Sequence, residues 1–219
     1  MSIDLVTLTH ATSPRAEAYR RLRTNLEFSS LDHPLHTLLV TSAAPEEGKS
    51  ETLANLAVIN AQAGKRVILL ECDLRRPRLH EIFGVSNNAG LSTALLNPDA
   101  PLPLQETEIP NLLVLPSGPL PPNPADLLAS KRMDALLTQV AAQADLVLLD
   151  APPVIAVTDA ALLATKVDGV LLVIKAGHTR REHAQRAKDL LAKVNARVVG
   201  AALTNAALDH SIDSYYGLG

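Results

Sequence analysis

Residues 38–53 read LLVTSAAPEEGKSETL: an apolar run, a turn, and a helix opening at Gly48-Lys49-Ser50. Leu38-Leu39-Val40 has the pattern of a buried strand, and Leu53, Leu56 and Ala57 give the following helix an apolar face. A Gly-Lys-Ser at a helix N-terminus combines three anion-binding devices. Free backbone N–H groups point outward, a lysine reaches the outer phosphates, and a hydroxyl is available to Mg2+. The helix dipole adds to the same field. The strict G-x-x-x-x-G-K-S/T spacing fails by one residue, because Ala43 stands at the first glycine position and Pro45 lies in the loop. The strand before the loop and the helix after it supply the context that the tripeptide alone lacks.

Downstream, the helix from Lys49 runs to Gly64, and Val67 to Leu70 predicts a second buried strand that carries Glu71-Cys72-Asp73 to its C-terminal end. In an open parallel sheet that edge is where ligands sit. DLVLLD, residues 145–150, is a third buried strand, stopped by Ala151-Pro152-Pro153. Its terminal Asp150 fits a Walker B acid once the Gly-Lys-Ser loop is present upstream. Gly169 to Lys175 and Val198 to Leu203 are further strands, separated by a helix from about Thr179 to Val194. Strands alternating with helices, without hairpin signals, predict a doubly wound α/β domain with a mostly parallel sheet.

Upstream, Ser13-Pro14 marks a helix start running to about Ser30, with Ser13 as cap and Pro14 at the first helical position. Glu17, Arg20 and Arg23 recur every three residues on one drifting face; spacing alone makes this a solvated charged face. Met1 to Thr12 alternates apolar and polar residues and reads as an extended arm or edge strand. Residues 87–124 carry nine of the fifteen prolines and read as long rim loops around one short strand, Asn111 to Leu115. Asn123-Pro124-Ala125-Asp126 is a helix start, and a further helix spans Lys131 to Gln143. Residues 206–219 read as a mobile tail ending in Tyr215-Tyr216-Gly217.

The 219 residues, 47% hydrophobic, suffice for one well-buried core, which must be aliphatic because aromatics make up 2%. A net charge of -3 with dispersed lysine and arginine gives no nucleic-acid footprint. The single cysteine, Cys72, excludes an internal disulfide and any Cys-x-x-Cys metal or cluster site, and a reducing cytoplasmic compartment fits. A packed thiol is the expectation for it. No apolar run approaches the roughly 18 to 20 residues needed to cross a bilayer, so membrane association is expected to come through a partner, without direct insertion. The histidines are scattered, and His178 with His183 lie at a poor metal-binding spacing.

Phosphoryl transfer needs charge neutralisation, alignment, and a destination for the acceptor's proton. Lys49 would sit on the β and γ phosphates, Ser50 and Asp150 on Mg2+, and the backbone of Glu46 to Lys49 around the β phosphate. Glu71 and Asp73, spaced i and i+2, share a face. One could help hold the metal shell and the other could accept a hydroxyl proton; pairing with Arg75 or Arg76 is the alternative.

With these residues in place, the chain resembles the bacterial tyrosine kinases of polysaccharide synthesis, the cytoplasmic autokinase subunit of capsule and exopolysaccharide systems. The resemblance rests on SAAPEEGKS (42–50), LLECDLRRP (69–77), LLDAPP (148–153), the Glu17-x-x-Arg20-x-x-Arg23 helix and the loop LPSGPLPPNPADLL (115–128). It implies a single kinase domain over residues 1–219, a P-loop NTPase with the deviant, MinD/ParA-like Walker loop. It implies ATP and Mg2+ as cofactors, with Pro45, Glu46, Glu47, Gly48, Lys49, Ser50 and Glu51 at the nucleotide and Ser50, Asp73 and Asp150 at the metal. Lys49, Glu71, Asp73 and Asp150 become the catalytic set. Thr204, or Asn205 after a shift, becomes the adenine contact.

The resemblance also implies that Glu17, Arg20 and Arg23 are interface residues of a homo-oligomeric ring, in which the tail of one subunit offers Tyr215 and Tyr216 to its neighbour. The helix of about residues 14–30 is then the assembly helix, and Tyr19 within it is structural. A transmembrane activator of the polysaccharide co-polymerase type would hold the chain at the inner face of the cell membrane. The chain departs from the family pattern in having Glu71-Cys72-Asp73 for Asp-x-Asp, Leu203-Thr204-Asn205 for Leu-Asn, and only two tail tyrosines. The competing reading is an ATPase switch like the septum-placement and plasmid-partition proteins. Those carry a second loop lysine where this chain has Ala44. An iron-sulfur carrier lacks its Cys pair here, and a small-molecule kinase of the same fold is a further alternative.

Overall fold

The computed structural model describes residues 5–207. The helices are α1 (Val6–Thr9), α2 (Pro14–Phe28), α3 (Lys49–Gln62), α4 (Leu79–Phe83), α5 (Leu91–Leu96), α6 (Pro124–Ala129), α7 (Lys131–Ala141), α8 (Asp159–Ala164) and α9 (Arg181–Lys193). The strands are β1 (Thr37–Ser42), β2 (Val67–Glu71), β3 (Gln105–Glu106), β4 (Leu112–Leu115), β5 (Leu146–Asp150), β6 (Gly169–Lys175) and β7 (Val198–Thr204). They form one sheet in the order β3-β4-β2-β5-β1-β6-β7, with every pair parallel except β3 with β4.

β1, β2 and β5 are buried along their whole length, around the apolar runs of residues 38–40, 67–70 and 146–149, because both faces of the sheet are covered. Leu38, Val40, Leu69 and Leu148 pack with α3 on one face; Leu39, Ile68, Leu70 and Leu149 pack on the other with residues of α5 to α9. α3 is buried from Thr52 through Ala61, so it is the central helix of its layer. The order places β5 between β1 and β2, with Asp150 beside both Val40 and Glu71. That single insertion brings the loop after β1 and the two acid-tipped strands to one sheet edge.

Within the expected extended arm of residues 1–12, Val6–Thr9 is a helix instead. Leu5 is buried, and Asn55 of α3 accepts from both the Thr7 N–H (3.1 Å) and the Thr7 hydroxyl (2.9 Å). Leu5 offers no capping side chain, so the acceptor for the first turn comes from 48 residues away. α4, α5 and α8 are also absent from the sequence reading. The rim of residues 87–124 contains α5 and β3 as well as the expected strand. Gly90 makes α5 possible: a Cβ there would lie 2.1 Å from the Pro116 carbonyl oxygen. Among the described residues no helix is long and apolar enough to cross a membrane.

Candidate active site

Gly48, at a φ of 81°, caps α3 without a side chain and turns the loop so that the helix opens at Lys49. The loop is braced from within by Glu47, which is buried. Its carboxylate accepts from Ala43 N (2.8 Å) and Ala44 N (3.0 Å) and from the Thr179 hydroxyl. Thr204, at the end of β7, donates to the Glu47 carbonyl at 2.8 Å, and its methyl group lies 3.5 Å from the position a Gly48 Cβ would take. Thr204 therefore supports the loop's main chain. Asn205, at a φ of 54°, donates to the Ala176 carbonyl at 3.2 Å.

Lys49 Nζ lies 2.9 Å from Asp150 Oδ1 and 3.0 Å from Asp73 Oδ2. The Ser50 hydroxyl donates to Asp150 Oδ2. Burial pulls the Lys49 ammonium down, but Asp150, Asp73 and Glu71 outweigh it and hold the group above its ordinary value. Burial raises Asp150, opposed by Lys49 and by the bond from Ser50. Asp73 and Asp150 against the one ammonium of Lys49 leave this buried cluster with negative excess, the condition a divalent cation satisfies. Among the described residues no three His, Cys, Asp or Glu side chains form a metal cage. Mg2+ keeps several of its waters, and a hydroxyl with one or two carboxylates is the protein share it takes.

Glu71 is placed differently from its expected role. It is fully buried, and its carboxylate folds back to accept from Asp73 N (3.1 Å), Arg78 N (2.7 Å) and Leu79 N (2.9 Å). It caps the start of α4 rather than facing the cavity. Burial and then the charge of Asp150 push it up to about 8, against the pull of Lys49 and of the N–H groups of Leu79 and Arg78. Asp73 is the acid of this strand end that reaches the cavity. Cys72 between them is buried and free, its thiol pushed up by burial and the surrounding carboxylates.

Two cavities flank the loop and share Glu46, Glu47, Gly48 and Glu51. One, of about 950 Å3, lies between α2 and the end of β7, walled by Arg15, Tyr19, Leu22, Thr204 and Asn205. The other, of about 620 Å3, holds Pro45, Lys49, Ser50 and Asp73 with Arg75, Arg76, Pro152 and Val157. Tyr19 and Lys175 on the first cavity were not legible as site residues, nor was the clamp in which Arg75 meets buried Asp159 through two bonds of 2.9 and 3.1 Å. The acid ahead of Ala160-Ala161-Leu162-Leu163 was the available signal for Asp159 as a helix start.

The charged triplet of α2 is partly engaged within the chain. Arg20 meets Glu17 at 3.0 Å and the Ala11 carbonyl at 2.6 Å, while Arg23 reaches the Ile59 carbonyl at 3.4 Å and leaves its buried Nε without a partner among the described residues. Tyr215 and Tyr216 lie outside the described residues.

The family model that matches, over residues 34–207, is ParA, described as NUBPL iron-transfer P-loop NTPase. Tyrosine-protein kinase YwqD of Bacillus subtilis (strain 168) is 43% identical over 219 residues, covering 99% of this chain and 92% of that protein. The crystal structure of the chimerical protein CapA2B2 superposes with a TM-score of 0.86 at 36% identity, covering 91% of this chain and 88% of that one. The kinase domain of Escherichia coli tyrosine kinase ETK does so with a TM-score of 0.87 at 31% identity, covering 95% and 84%.

Proposed function

Because the chain belongs to the bacterial tyrosine-protein kinases built on the ParA-type P-loop fold, we propose that it transfers the γ-phosphoryl group of ATP to tyrosines near its own C-terminus, one copy acting on another. The observation that carries this is the convergence of Asp73 and Asp150 on Lys49, which lies within 3.0 Å of both acids and lines one cavity together with Asp73 and Ser50.

In this reading the loop N–H groups from Glu46 to Lys49 bind the β phosphate, and Lys49 neutralises charge on the β and γ oxygens. Ser50 and Asp150 would hold Mg2+, which would supply neutralisation of the phosphate charge. The nucleoside lies on the α2 side, with Thr204 and Asn205 at its base. The tyrosine enters the cavity on the other side. Its oxygen bonds to the γ phosphorus as the bond to the β–γ bridging oxygen breaks, and its proton passes to Asp73, the acid on that wall.

The polysaccharide setting, the ring built on Glu17, Arg20 and Arg23, and the transmembrane activator belong to the same proposal and rest on the motif resemblance. So does a place at the inner face of the cell membrane. A switch ATPase without transferase activity is disfavoured by Ala44 in the loop and by the tyrosine-kinase relatives at this level of identity. Iron transfer, which figures in the description of the matching family model, has no thiolate pair to work with.

The test is incubation of the purified chain with ATP and Mg2+, with and without the cytoplasmic peptide of its activator. Phosphotyrosine is expected at Tyr215 or Tyr216, and Lys49→Met is expected to abolish it. ATP turnover without phosphotyrosine would overturn the proposal in favour of the switch.

A further inference from the structure

Three arginines, Arg75, Arg76 and Arg78, stand exposed at the lip of the cavity that holds Lys49 and Asp73. They are differently engaged. Arg75 is spent on Asp159, and Arg78 meets the exposed Glu81 at 2.9 Å. Arg76 makes no ion pair among the described residues, while its main chain is fixed: Asp73 Oδ1 accepts the Arg76 N–H at 3.0 Å, and the other oxygen of the same carboxylate meets Lys49. One carboxylate thus sets the spacing between the phosphoryl-transfer centre and the root of the Arg76 side chain. In the same cavity Pro152, Val157 and Ile82 supply apolar lining suited to an aromatic ring.

The chain's own tail has the complementary pattern. Asp213 stands two residues before Tyr215 in DSYY, and Asp209 lies further upstream. In an extended peptide, residues i and i+2 project from the same side about 6.5 to 7 Å apart. A tyrosine lowered along the apolar wall towards Asp73 therefore leaves the carboxylate two positions earlier at the lip, beside the arginines. We propose that Arg76, assisted by Arg78, is a specificity-determining site that reads an acidic side chain two residues before the target tyrosine. The substrate class is then an acidic, extended tyrosine peptide, with Tyr215 of a second copy preferred over Tyr216. This rests on the kinase reading and deepens it. Because the guanidinium groups are exposed, the attraction is screened by salt over about 8 Å at physiological ionic strength.

The experiment uses the full chain carrying Tyr215→Phe and Tyr216→Phe, which leaves Tyr19 of α2 as its one tyrosine, and phosphate is counted on an added peptide of residues 205–219. Peptide Asp213→Asn is expected to raise the peptide KM about two- to fivefold, the worth of one exposed ion pair. Arg76→Glu is expected to do the same to the unchanged peptide and to favour peptide Asp213→Lys instead; Arg78→Glu is the second variant, with a smaller effect in the same direction. Equal KM for the unchanged and Asp213→Asn peptides would overturn this inference alone, since the kinase reading survives any peptide phosphorylation. So would a loss confined to the KM for ATP, which would assign the arginines to the nucleotide. Absence of phosphotyrosine on every peptide, with ATP still consumed, would overturn both.

Discussion

The Glu71 carboxylate accepts three main-chain N–H groups in a fully buried setting, so its removal disturbs the fold before the chemistry. Glu71→Gln replaces one accepting oxygen by an NH2 that cannot accept, and is expected to cost about 1–3 kcal/mol in denaturant unfolding. The same residue fixes a pH trend. Its folded value, about 8 against an ordinary 4.5, means the native state holds a proton that the unfolded chain has released. Stability is therefore expected to fall as pH rises from about 4.5 to about 8, and Glu71→Gln to flatten that slope. Urea midpoints across this range check both. Lys49, Asp150 and Asp73 were legible as site residues because the Gly-Lys-Ser loop and the acid-tipped strands are local patterns. Glu71 and Asp73 could not be told apart by spacing. Which of them faces the cavity depends on N–H groups of Arg78 and Leu79, seven and eight residues on.

At the level of elements, the long pieces were readable. β1, β2, β5 and β6 each hold an apolar run of three or more residues, and α2 has a Ser13 cap accepting from Ala16 N. Of the short helices only α6 was, from its Asn123-Pro124-Ala125-Asp126 start. α1 takes its acceptor from Asn55, α4 from Glu71, and the first residue of α8 spends its carboxylate on Arg75, 84 residues away. A helix of one turn or so that leans on side chains outside itself leaves little local signature, for α8 no more than its leading acid. The central position of α3 predicts that Leu56→Ala, at a site 1% exposed, costs about 2–5 kcal/mol of unfolding free energy. On α2, Arg20→Ala with Arg23→Ala is expected to lower the mass of the assembled protein in light scattering. An unchanged mass would count against the assembly role.

For the whole molecule, the parallel sheet gathers three distant segments at one edge, with a cavity on either side of the loop; in the proposed function these would be a nucleoside half and a transfer half. A ligand that spans the loop stabilises only the folded chain. MgATP at a hundred times its dissociation constant should add about 2.7 kcal/mol of stability. For a chain of this size that is a melting shift of roughly 5 to 11 °C. Differential scanning fluorimetry should show the shift for the unchanged chain and lose it for Lys49→Met.

α2 presents Arg15, Tyr19 and Leu22 to the cavity of about 950 Å3 while Glu17 and Arg20 belong to its charged triplet. In the proposed function one rod would thus border two separate binding events. If joining to another copy tilts that rod and changes ATP affinity by some factor, ATP must change the affinity between copies by the same factor. Titrating nucleotide at several protein concentrations would give that factor twice over, once from each side of the helix.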